Sequence, residues 1–221
     1  MKIHTSLALA LLLSASPSFI ACQSSGQQSD STAMHMDELN AAVAAAKAKI
    51  NAAAESLAAV VEKGDQDPAP SFEKYKKDVA EVESAAGQSE SKLKSLQEQG
   101  QAYMAEWEKQ AATITDEDLK KTADERRAKL SAAVKEVADA MTAAQAEITP
   151  YRAKLKDMET YLKNDLTPAG IKSIKDKSKQ ISKDAKSINE KLDEVAEALT
   201  KNAPQFKTAK PPPPAEGEKK S

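Results

Sequence analysis

The chain has 221 residues, of which 30% are charged, 40% hydrophobic and only 4% aromatic, with 32 basic against 34 acidic side chains. So few large rings cannot fill a thick globular core, whereas long helices packed along thin seams suit this composition. A formal net charge of −2 supplies no strong field to gather nucleic acid, which is excluded as a partner.

Residues 1–21 read as a signal peptide: Lys2, then the apolar run Leu7 to Leu13, then small or apolar residues to Ile20-Ala21. The run is too short to span ~30 Å of hydrocarbon as a transmembrane helix. Cys22, the only cysteine, follows directly. The stretch Phe19-Ile20-Ala21-Cys22 resembles the lipobox of bacterial lipoproteins, with phenylalanine where leucine is usual. By that resemblance Cys22 is lipidated and becomes the mature N-terminus. A lipidated Cys22 leaves no other thiol, which excludes disulfides, thiol catalysis and cysteine-ligated metals. Residues 22–36 then form the modified cysteine and a flexible Ser/Gln-rich tether, with a reach of roughly 20 Å.

Residues 37–201 carry a heptad pattern. Leu39, Val43, Ala46, Ile50, Ala53, Leu57 and Val60 alternate steps of four and three, predicting a helix over 37–63. Gly64 to Pro70, with two prolines and a glycine, breaks it. A second helix over 72–113 places Phe72, Tyr75, Val79, Val82, Ala86, Leu93, Leu96, Tyr103 and Trp107 on one seam. Ser89 and Gly100 thin that seam. Thr115 before Asp116-Glu117-Asp118 reads as a cap followed by acids on the positive end of a helix, opening a third helix over 116–163. Its seam runs from Leu130 through Val134, Met141, Tyr151 and Leu155 to Leu162, and Pro150 kinks it without ending it, because the period survives on both sides. After a break at Asn164 to Thr167, with Thr167 as cap and Pro168 at the first helical position, a fourth helix over 168–201 runs from Ile171 to Leu199. Residues 202–221, with Pro211 to Pro214 and Lys219-Lys220, read as a disordered tail with polyproline-II character.

A 3.5-residue repeat with short connections predicts an all-α fold, an elongated antiparallel bundle or coiled coil of four helices. The two middle helices are the longest, so the tip at residues 112–118 is expected to project as a two-helix hairpin. The chain has two histidines: His4 leaves with the signal peptide, and His35 lies in the tether, where general acid–base geometry cannot be held. Motifs of serine hydrolases, phosphate loops and zinc proteases are missing from the sequence, and ferritin-like Glu-x-x-His pairs are too. An enzyme, a cofactor and a metal site are therefore not expected. Asp116-Glu117-Asp118 and Asp193-Glu194 read as capping or solvated acids. Tyr103 and Trp107, near the tip, have two readings: seam residues, or a half-exposed contact for a partner. Lys172, Lys175, Lys177, Lys179, Lys183 and Lys186 form either a solvated face or a patch for anionic lipid or cell-wall polymer.

Several stretches resemble an uncharacterised family of bacterial envelope proteins, the domain-of-unknown-function family 2959. They are Ala105-Glu106-Trp107-Glu108, Arg126-Arg127 to Leu130, Ala140-Met141, Ile148 to Tyr151, and Leu162 through Ile171. The family tends to read Leu-Lys-His-Asn-Leu-Asn at the last of these, where this chain has Leu162-Lys163-Asn164-Asp165-Leu166-Thr167. The resemblance spans approximately Asp37 to Leu192 and implies a helical envelope protein with no assigned activity.

These readings converge on a membrane-anchored, periplasm-facing lipoprotein of the cell envelope that acts as a coiled-coil scaffold or spacer. Its partners would be the membrane, through acyl chains on Cys22, and an envelope protein or cell-wall component. Gln23, where aspartate is the usual inner-membrane retention signal in enteric bacteria, favours the outer membrane. The alternative is a chaperone-like or hydrophobic-ligand binding module, against which the alanine-rich seams argue. Heptad seams close within one chain or between chains, so the oligomeric state stays open.

Overall fold

The computed structural model describes residues 25–207, as five helices: α1 Ser25–Glu62, α2 Ala69–Ala111, α3 Glu117–Asn164, the short α4 Pro168–Ser173, and α5 Lys175–Lys207. Four are long, and no strand occurs among the described residues. The signal peptide, Cys22 and residues 208–221 lie outside the described residues.

The four long helices pack in the cyclic order α1, α2, α3, α5. Cross-helix contacts set the directions. Lys49 meets Glu81 and Lys92 meets Glu38, so α1 and α2 run antiparallel. Tyr75 reaches Leu155 while Arg152 reaches Glu83, which does the same for α2 and α3. Lys154 with Asp184 and Lys201 with Glu136 align α3 against α5, and Asn189 with Asn51 aligns α5 against α1.

The core lies along the heptad seams. Leu39, Ile50, Leu57, Tyr75, Leu96, Met141, Leu155, Ile188 and Leu192 are all buried, as are the thin positions Ser89 and Gly100. Val134 is the seam residue left half-exposed. Each buried aliphatic side chain contributes about 1.5–3 kcal/mol relative to exposure, and in an alanine-rich bundle these few residues carry most of the packing.

Two end segments depart from the sequence reading. Residues 23–36 were expected to be a flexible tether, but from Ser25 onward they belong to α1. Ser29, Thr32, Ala33 and Met36 are buried and extend the seam backwards from Leu39 at steps of three and four. Serine and threonine at seam positions hid that period. His35 is correspondingly held on a helix, with Nδ1 3.3 Å from Glu38 Oε2. At the other end, the helix expected to stop at 201 continues to Lys207, and Asn202, Ala203 and Phe206 are buried. It carries Pro204 within it.

Smaller corrections concern the caps. The N-cap of α3 is Asp116, not Thr115: its carboxylate accepts from the backbone N–H of Asp118 and Leu119 at 3.0 and 2.9 Å. The expected helix 168–201 is broken at Ile174, with φ −95° and ψ 0°, which separates α4 from α5. Helix α2 starts at Ala69, three residues early, where Asp67 accepts the free N–H of Ala69. Helix α3 runs unbroken through Pro150. The loop at 63–68 meets α4, which follows the 165–167 loop, at one end of the bundle: a Cβ on Gly64 would lie 2.8 Å from Ile171 Cγ2.

Candidate functional site

Tyr103 and Trp107 sit at the opposite end, where the start of α1, the end of α5 and the last third of α2 come together. Both rings are buried. They meet edge to face with centroids 5.8 Å apart, and Phe206 leans on Tyr103 at 6.0 Å, spacings at which aromatic pairs attract beyond their area. The Ser29 hydroxyl donates to the Phe206 carbonyl, tying the first turns of α1 to the last of α5. Burial pushes the Tyr103 phenol up, with a hydrogen bond to Ser29 opposing. Trp107 Nε1 is buried with no partner among the described residues. The contact reading therefore loses its surface: these rings present no face to a partner, and the residues that close over them are those the sequence reading left in a tether and a tail.

Two further tyrosines join helices through the core. Tyr75 donates to the Leu155 carbonyl at 2.8 Å, and Tyr151 donates to the Ile50 carbonyl at 3.3 Å, the latter linking α3 to α1 across the bundle. Burial raises both phenols well above their ordinary range, with Tyr151 adding to the effect at Tyr75 and Asp184 to that at Tyr151. A phenol so placed is a structural donor, because its ionised form has no water to solvate it.

Ionic contacts run along the grooves between helices. Arg152 pairs with Glu83, which holds that carboxyl below its usual range, and lies 3.6 Å from Glu90. Lys92 does the same for Glu38, and Lys49 for Glu81. Such pairs at the rim of the helix grooves are screened by solvent and fix register more than stability. Asp193 and Glu194 are engaged by Lys47 and Lys191. Among the described residues no group of three or more His, Cys, Asp and Glu side chains could hold a metal, and no helix is long and apolar enough to cross a membrane.

The segment from Leu162 to Ile171 is a built turn. Asp165 Oδ1 accepts from the Thr167 hydroxyl at 2.6 Å, and Thr167 Oγ1 accepts the Gly170 N–H at 3.2 Å. Gly170 presses on the Asp165 carboxylate so closely that a Cβ would fall 2.4 Å from its Cγ. The Tyr161 hydroxyl shares a hydrogen bond with Ser173 at 2.7 Å, while Leu162 and Ile171 are buried on either side.

Compared with known proteins, residues 23–206 match the family model described as Protein of unknown function (DUF2959). The chain belongs to DUF2959. The match begins directly after Cys22 and ends at Phe206, so the family unit takes in both end segments that the structure adds to the bundle. No curated protein and no solved structure matches it.

In this DUF2959 chain several of the residues that carried the resemblance sit in structural roles, while Ala105, Glu108 and Arg126 are exposed. Trp107, Leu130, Met141, Ile148 and Tyr151 are core, and 162–171 is a cap and turn. An open groove of about 610 Å³ lies between α2 and α3 over Gly100 and Val134. Gln97, Gln101, Glu108, Lys135 and Asp139 line it beside Met104, Ala105, Val134 and Ala138. The lysines of the basic run are all exposed, and Lys179 pairs with Asp176 at 3.2 Å.

Proposed function

We propose that the protein is a non-enzymatic spacer or scaffold of the bacterial cell envelope, held at its N-terminus by acyl chains on Cys22. The supporting observation is the lipobox-like stretch ending at Cys22, three residues before α1 begins. Because α1 starts so near the cysteine, an anchor there would act on a stiff rod rather than on a long tether. At 1.5 Å per residue, α1 alone would carry the far end of the bundle roughly 57 Å from that point. Past the level of Ser29 and Phe206, α2 and α3 continue toward residues 112–116, and this extension is the projecting two-helix hairpin of the proposal. Because α1 starts at this same end, the hairpin with its exposed Leu119 would lie beside the anchor, and the loops at 63–68 and 165–167 would be the part carried out toward a distant partner.

Several acyl chains at ~0.8 kcal/mol per buried CH₂ would make the attachment essentially permanent. The test is intact mass and detergent partitioning of the natively expressed protein beside Cys22→Ser. Acyl mass and membrane partitioning in the wild type, lost in the variant, support the anchor. Two unmodified, soluble proteins would remove it.

A further inference from the structure

Along the outward face of α5 the charges are sorted by sign. Lys179, Lys183 and Lys186 are followed at the same four-three spacing by Glu190, Asp193 and Glu197, and all six are exposed. Within one helix this order is unfavourable. Lys179 and Lys183 are like charges four apart, as are Asp193 and Glu197, and such pairs destabilise a helix, with Lys186 and Glu190 the one opposite pair at that spacing. Among the described residues Lys183, Lys186, Glu190 and Glu197 make no ion pair that would offset it, while Lys179 and Asp193 reach Asp176 and Lys47.

We infer that this face binds a second copy of the chain, α5 lying antiparallel on α5 about a two-fold axis at the level of Ile188. That axis sets Lys186 against the partner's Glu190, Lys183 against the partner's Asp193, and Lys179 against the partner's Glu197. Every pair is made twice and every pair is opposite in sign. Asp176, the acid within the basic half, falls opposite a threonine rather than an acid. The four-three spacing is the one an antiparallel coiled-coil seam requires, so the six charges form a second seam on the side of α5 away from the core.

The neighbouring helix fits the same axis. Asn51 of α1 takes a hydrogen bond from Asn189, so the level of Ile188 on α5 is that of Ala52 on α1. Seven residues to either side stand Ala45, exposed, and Ala59, half-buried. The two-fold lays α1 antiparallel on the partner's α1, with Ala45 against the partner's Ala59 and exposed Glu55 between them. An isologous contact demands self-complementarity, which the six charges of α5 meet about this axis. With no large apolar side chain on this face, the association is reversible and salt-sensitive.

Sedimentation equilibrium of the purified full-length protein tests this. Near 0.01 M salt, where the Debye length is about 30 Å, the protein is expected to self-associate to twice its monomer mass, and near 1 M, where it is about 3 Å, to dissociate. Lys186→Glu and Glu190→Lys, at exposed sites outside the core, should each keep full helicity by circular dichroism and weaken self-association about tenfold or more. Mixed in equal amounts, the two variants should recover it, because each supplies the charge the other lacks. A monomer at low salt overturns the inference, as does a mixture no heavier than its components. Binding of the monomer to vesicles containing an anionic lipid, abolished by Lys186→Glu but not restored by mixing, would assign the face to a lipid surface instead.

Discussion

The Tyr75 hydroxyl donates to the carbonyl of Leu155, a residue 80 positions along the chain, at 2.8 Å. Leu155 is inside α3, so its carbonyl faces the helix ladder as well, and the phenol is an additional donor rather than a substitute. Tyr75→Phe removes the donor while keeping the ring. The expected loss is about 1 kcal/mol, read as a shift of the urea midpoint with an unchanged slope. Tyr151→Phe should behave alike, and because the two phenols lie near one another the double variant should depart from additivity.

The same phenols set an alkaline limit. Burial raises Tyr75 and Tyr151 above the unfolded value of 10.0, so the native state keeps protons that the unfolded chain gives up. Their contribution is complete below about pH 10 and declines above it, at up to about 1.4 kcal/mol per pH unit for each tyrosine. Absorbance at the phenolate band should rise in step with unfolding, and the double Phe variant should flatten the decline. At the acid end Glu83, Glu38 and Asp184 are held low by Arg152, Lys92 and Lys154. Their pairs persist above the usual carboxylate range, so stability should fall as pH drops through it.

Two glycines make opposite predictions. A Cβ at Gly170 would fall 2.4 Å from Asp165 Cγ, whereas one at Gly87 would touch nothing within 4 Å. Gly87→Ala should stabilise the protein by about 0.5–1 kcal/mol through helix propensity. Gly170→Ala should destabilise it, because the carboxylate it displaces also holds Thr167 in its capping position. Thermal melts of the two variants side by side suffice.

Phe206 closes the end of the bundle over Tyr103. Phe206→Ala should cost about 3–5 kcal/mol, as for other buried aromatics. Trp107 is the single tryptophan and packs edge-on against Tyr103, so its emission should shift to the red as water gains access. A chain ending after Lys201 should show the same red shift, and one ending after Lys207 should not.

The large seam residues were legible because the four-three spacing of Leu, Ile and Val has one physical meaning. Ser29, Thr32 and Asn202 were not, since small polar side chains at seam positions look like loop until their burial is known. That one omission produced the second. With α1 begun at 37 and α5 ended at 201, Tyr103 and Trp107 were left under two helices and read as half-exposed. Ser29 and Phe206, restored to the helices, cover the site. The Ile174 break was hidden by an unbroken apolar period, because a single turn of altered backbone does not disturb spacing. Asp116 and Thr115 are both good caps, and only hydrogen-bond geometry separates them.

Ser29 bonded to Phe206, and Lys207 beside Asp37, mean that the chain enters and leaves the bundle at the same end. Tension between its two termini would therefore act across the α1–α5 groove at that end, opening contacts one after another like a zipper. A pull between the N-terminus and the loop at 63–68 would load the length of α1 at once, in shear. The molecule should yield at low force in the first direction and resist in the second, a mechanical polarity that optical-trap extension from the two pairs of points would measure.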